Sequence, residues 1–166
     1  MQLVRNQGRR NHRAVIAALL KSCNRAVLCS GWMKVEGVKA LLPAIDCALS
    51  NGATLTIYSS EKETLPDAAA AIPNRPGLHH LIVPNHGAYL HSKLYYFEQG
   101  AKYTALVGSA NITYGGLVSN EELSIKFSGI VGDDKHRELV KYIDNLRKLW
   151  ETPVVSEAVA YSGRAE

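Results

Sequence analysis

The chain has 166 residues, 46% of them hydrophobic and 20% charged, with a formal net charge of +4. That balance excludes a disordered tail, a collagen and a heptad rod, and the length suits one compact domain better than two. No apolar run approaches the roughly 18 residues of a membrane span; the longest, Ala14 to Leu20, stops at Lys21.

Met1 to Arg5 leads into no signal-peptide core, so the cytoplasm is the expected location. Asn11 can cap a first helix over 11–24, where Val15, Ile16, Leu19, Leu20 and Cys23 recur at helical spacing. Residues 26–33 form an apolar run around Val27 and Leu28, the pattern of a buried strand. A second helix over 35–50 places Val38, Leu41, Leu42, Ile45 and Leu49 on one face, and Asn51-Gly52 closes it. Residues 53–59 alternate and are β-branched, which predicts a strand. A polar, alanine-rich helix is expected over 61–72, ending before Pro73 and Pro76. Strands over 78–83, 88–97, 103–107 and 122–127 follow. A last helix over 133–150 carries the stripe Leu139, Ile143, Leu146 and Trp150. Helices alternating with strands, then strands clustered together, indicate an α/β fold: a mixed sheet flanked by helices in one domain over 1–166.

Cys23, Cys29 and Cys47 form no C-x-x-C pair and are expected as buried free thiols. His79, His80 and His86 lack metal-site spacing, and no metal site is expected. His12 and His136 are assigned to exposed helix faces. The cluster Arg5, Arg9, Arg10, His12 and Arg13 suits either a solvated helix end or phosphate contacts, so Arg9, Arg10 and Arg13 are candidate substrate-binding residues. Trp32 and Trp150 read as core or interface anchors. Trp32 follows Ser30-Gly31 at a strand end, where it can also reach the mouth of a site.

The stretch from Leu90 to Ile125 carries the chemistry. Strand alternation puts His91, Lys93 and Tyr95 on one face. Gly108-Ser109-Ala110-Asn111 follows the next strand, and adjacent strands can bring His91, Lys93, Ser109 and Asn111 together. Three of these are donors suited to phosphoryl oxygens, and the imidazole can attack or transfer a proton. Glu122 is expected to accept from the other imidazole nitrogen, and Gly108 to clear space for substrate.

His91-x-Lys93, then Gly108-Ser109-x-Asn111, then Asn120-x-Glu122 resembles the HKD motif of the phospholipase D superfamily. Gly108-Ser109-Ala110-Asn111-Ile112-Thr113 running into Gly116-Leu117 is similar to that motif's second half, and the order of elements suits the family's single-repeat domain. The family has aspartate five residues after the lysine, a mainly structural acid; here Glu98 stands there.

The resemblance implies a phosphodiesterase with His91, Lys93, Ser109, Asn111 and Glu122 as catalytic residues. It also implies a phosphohistidine intermediate and neither metal nor other cofactor. One chain supplies one such histidine, whereas the reaction needs both a nucleophile and an acid. The resemblance therefore implies a homodimer with a shared site. Among members of the family the short bacterial endonucleases and metal-independent restriction-enzyme catalytic domains are most similar. The expected substrate is DNA, with no stable membrane association. The alternatives are hydrolysis of a phospholipid or other phosphodiester, and a non-catalytic nucleic-acid-binding role.

Overall fold

The computed structural model describes residues 1–8, 10–85 and 89–151. Its centre is set by β2 (Arg25–Ser30), in which every residue from Ala26 to Ser30 is buried. A strand buried on both faces needs cover on both sides of its sheet. That sheet has seven strands: β1 (Gln2–Arg5), β2, β3 (Thr54–Ser60), β4 (Leu78–Val83), β5 (Lys93–Gln99), β6 (Lys102–Gly108) and β7 (Leu123–Ile130). Their order is β1-β7-β6-β5-β2-β3-β4. β2, β3 and β4 run parallel, and the pairs β2–β5, β5–β6, β6–β7 and β7–β1 are antiparallel. The sheet is mixed, as expected.

Helices α1 (His12–Leu20) and α2 (Val35–Ser50) cover one face, where Ile16, Leu20, Leu41 and Ile45 meet Leu28, Leu55, Tyr95 and Leu106. Helix α4 (Asp134–Glu151) covers part of the other, where Ile143 and Leu146 join Val27, Tyr58, Tyr96 and Tyr103. The Asn11 side chain caps α1 by accepting from Ala14 N–H, and Gly52 closes α2 with φ +82. Among the described residues no helix is long and apolar enough to cross a membrane.

Several expectations need correction. The helix over 61–72 shrinks to α3 (Pro66–Ala70), because the residue before a proline is pushed out of helical backbone: Leu65 is extended, with ψ 147. β1 has no counterpart in the sequence reading; four residues with one buried side chain, Val4, leave little pattern. β5 begins at Lys93, so His91 lies in the approach to the strand, and residues 86–88 fall outside the described residues. Neither helical histidine is exposed. His12 is fully buried, and His136 lies against the Tyr96 and Tyr103 rings. The two tryptophans are half-exposed rather than core residues. Cys23 and Cys29 are buried free thiols, while Cys47 is only partly covered.

Candidate active site

The sheet register brings the motif residues to one end. Ser30, the last residue of β2, pairs with Lys93, the first of β5, and Gly108 at the end of β6 pairs with Ser124 of β7. The loops leaving parallel β2 and β3 open at this same end, where open α/β sheets offer a crevice for ligands.

Lys93 is 7% exposed. Its ammonium donates to the His91 carbonyl and lies 3.3 Å from His91 Nδ1, so the two side chains share one side of the chain as alternation requires. Burial pushes the lysine below its ordinary value, and the Glu122 carboxylate and Cys29 pull it back up. Gly31 holds the His91 segment from behind: a Cβ there would sit 2.6 Å from the Leu90 carbonyl oxygen and 2.8 Å from His91 Cα. Cys29 beneath is no nucleophile at neutral pH, since burial lifts its thiol to about 11.

Asn111 is held by one atom of its amide. Its Oδ1 accepts from Trp32 N–H at 3.1 Å and lies 3.3 Å from Ser30 Oγ. A backbone N–H can only donate, so the oxygen must face Trp32. Nδ2 is then turned away, and it has no hydrogen-bond partner among the described residues. Ser30 completes the anchor: its hydroxyl lies 2.6 Å from the Trp32 carbonyl and accepts from Ile112 N–H at 2.9 Å. Gly116 lets the following π-helical turn (Gly115–Ser119) press on Asn111, because a Cβ there would lie 2.5 Å from the Asn111 carbonyl oxygen.

Ser109 donates to Glu122 and accepts from Leu123 N–H at 3.1 Å. Within this chain the Glu122 carboxylate is engaged by Ser109, with Asn120 Nδ2 at 3.5 Å, and no hydrogen bond joins it to His91. Gly108 also has a different reason from the one expected. The place of its missing side chain is taken by the Leu123 carbonyl and Ser124, so β7 rather than substrate demands a glycine.

The site therefore offers an imidazole, a buried ammonium, an outward amide donor and a serine–carboxylate pair. No family model matches the sequence, and no curated protein does. Solved structures do match. A phospholipase D family member, Nuc from Salmonella typhimurium, superposes with a TM-score of 0.70 at 14% identity, over 90% of this chain and 93% of that one. NucT from Helicobacter pylori gives 0.65 at 15% identity, over 90% and 94%. A yeast tyrosyl-DNA phosphodiesterase gives 0.61 at 12% identity, over 92% of this chain and 39% of that one.

The chain has the phospholipase D fold.

In this phospholipase D fold Glu98 lies near the far end of β5, about 16 Å along the strand from Lys93. There it pairs with Arg25 at 2.7 Å and accepts from Tyr96 OH at 2.7 Å, a structural role. Trp32 stands beside Asn111 and is 44% exposed. Arg10 and Arg13 are exposed near the start of α1, where Arg10 lines a groove along β1 with Gln2 and Arg5, and Arg9 lies outside the described residues.

A polar network missed in the sequence supports the floor of the site. His12 Nδ1 donates to Asn6 Oδ1 at 2.7 Å, and His12 Nε2 accepts from Ser124 Oγ at 2.9 Å. The Asn6 amide donates to the carbonyls of Gly116 at 2.9 Å and Asn120 at 3.1 Å. The signal was present: His12, Ile16 and Leu20 recur every fourth residue, and all three are buried. Burial pushes the imidazole below its usual value, against a smaller opposing pull from Glu122. The neutral ring's contribution is complete above about pH 6.5, the unfolded value, and is lost as pH falls below it. His12→Gln is expected to cost about 2 kcal/mol near neutrality, because the buried Ser124 or Asn6 group is left unpaired. It should also flatten the fall in stability below about pH 6.5; urea titrations on either side of that pH check both.

Proposed function

We propose that this protein is a metal-independent endonuclease that cleaves DNA through a phosphohistidine, at a site shared by two copies of the chain. The convergence of His91, Lys93, Ser109 and Asn111 at one end of the sheet carries this reading. Two of the similar structures are a phospholipase D family member and a tyrosyl-DNA phosphodiesterase, which supports phosphodiester chemistry. The net charge of +4 suits a polyanion.

In the first step His91 Nε2 attacks phosphorus, a P–N bond forms and the P–O bond to the leaving strand breaks. The partner's His91 gives its proton to the departing oxygen. In the second step that same neutral imidazole takes a proton from water, the hydroxide attacks phosphorus, and the P–N bond breaks. Lys93 and Asn111 Nδ2 neutralise the phosphoryl oxygens, the task that a divalent ion performs in other nucleases. Glu122, through Ser109, fixes the donor geometry beside them.

A second copy has a surface to meet. Leu3 and Val107 flank Ile125 in register across β1, β7 and β6, and Leu123 lies two residues along on the same face. All four are exposed, on the part of the sheet that α4 leaves uncovered and directly beside Ser109 and Glu122. Such a patch on a soluble surface suits an isologous interface.

The test is cleavage of supercoiled plasmid in EDTA. Wild type is expected to nick and linearise it, and His91→Ala to leave it intact. Full activity of His91→Ala, or a strict need for added divalent metal, would overturn the reading. Turnover of phospholipid vesicles with no attack on DNA would assign the same chemistry to a lipid.

A further inference from the structure

We infer that the site takes unstacked, single-stranded nucleic acid, holding the bases beside the scissile phosphate on two aromatic platforms. The inference rests on the nuclease reading and names its substrate class. The platforms are Trp32 and Tyr89, 44% and 40% exposed. Each borders a different part of the phosphate pocket. Trp32 is tied through its backbone N–H to Asn111 Oδ1, and the Tyr89 ring lies 5.7 Å from the His91 ring.

Each platform also carries a cation. Lys34 Nζ sits 4.7 Å from the Trp32 ring centroid, and Lys62 Nζ sits 5.4 Å from that of Tyr89. The two loops are joined, since Met33 bridges to both Thr64 and Ile112. Next to Tyr89 and His91 a groove of about 330 Å³ runs toward Tyr142 and Leu149 of α4, leaving room for a base.

Large aromatic side chains exposed at a polar pocket are costly to solvate unless something covers them. A nucleobase does so on its π-face, while the neighbouring lysine reaches the next phosphate. A duplex keeps its bases stacked on each other and cannot offer those faces without unpairing. A lipid headgroup has no flat ring to offer.

The experiment measures anisotropy of labelled strands with the His91→Ala protein in EDTA, so that nothing is cut. The probes are an oligothymidylate, an abasic strand of equal length and charge, and a duplex of that length. The oligothymidylate is expected to bind about 5- to 100-fold tighter than the abasic strand. Adding Trp32→Ala or Tyr89→Ala should remove most of that ratio and leave the abasic affinity unchanged, while Trp32→Phe should restore part of it. Equal affinity for the two single strands, tighter binding of the duplex, or a ratio that both aromatic variants leave intact would overturn the inference while the nuclease reading stands. Binding of no probe at low salt would sink both.

Discussion

A one-to-one mixture of wild-type and His91→Ala chains, allowed to exchange subunits, is expected to cleave DNA at about one quarter of the rate of the same total amount of wild type. Random pairing leaves about a quarter of dimers with two imidazoles. A hybrid has one. It can attack phosphorus but lacks the acid for the departing oxygen, or it holds the acid and lacks the nucleophile. Loss of either role costs on the order of 10² to 10⁴ in rate, so hybrids contribute almost nothing. Chains acting alone would instead give about one half. Initial rates at several mixing ratios, with the dimer verified by sedimentation, separate a quadratic from a linear dependence. A linear dependence would remove the shared site from the mechanism.

Asn111→Asp is expected to lower kcat/KM by roughly 10³-fold while barely changing stability. The inner oxygen of the new carboxylate can still accept from Trp32 N–H at the distance Oδ1 does now, 3.1 Å, so the loop stays anchored. The outer atom changes from a donor to a negatively charged acceptor. In the proposed mechanism it would then face the phosphoryl oxygens, and the donor is not merely lost but replaced by repulsion. Asn111→Ala makes the opposite trade. It removes the repulsion but frees Trp32 N–H and Ser30, so stability should fall more and activity less. Paired measurements of kcat/KM and thermal midpoint on the two variants check this. An Asn111→Asp protein with more than about a tenth of wild-type activity would show that the amide does not meet the charge developing in the reaction.

The parts of the site legible in the sequence are those carried by period and order. Lys93 starts β5, His91 lies just before it, and Ser109 and Asn111 follow the end of β6, an order that alternation and spacing make visible. Features that depend on a partner distant in sequence were not legible. His12 looks exposed in the sequence because a lone histidine near a helix start gives no hint of Asn6 and Ser124, the latter 112 residues away. Gly108 suggests room for substrate because nothing in its sequence neighbours shows that Leu123 and Ser124 press against it. Ser30 and Gly31 show in the sequence only as a strand end, and their parts in setting the positions of Asn111 and His91 are not legible for the same reason. A carboxylate near an imidazole in sequence suggests a pair, but Ser109, where β6 ends against β7, engages Glu122 within this chain. The α3 boundary was legible and was misread: Pro66 within the proposed helix was sufficient warning.

Gly31 and Gly116 fix His91 and Asn111 by main chain against main chain, at separations no side chain can enter. The rulers of the site are thus peptide planes rather than rotamers. The side chains of Trp32, Lys34, Lys62 and Tyr89 hang from that frame, while the main chain of Trp32 and Lys34 belongs to it. An engineer could exchange these rim side chains to retune which strand is gripped, and the reacting groups would stay where they are. On the nuclease reading proposed above, the grip on the strand and the chemistry are mechanically decoupled.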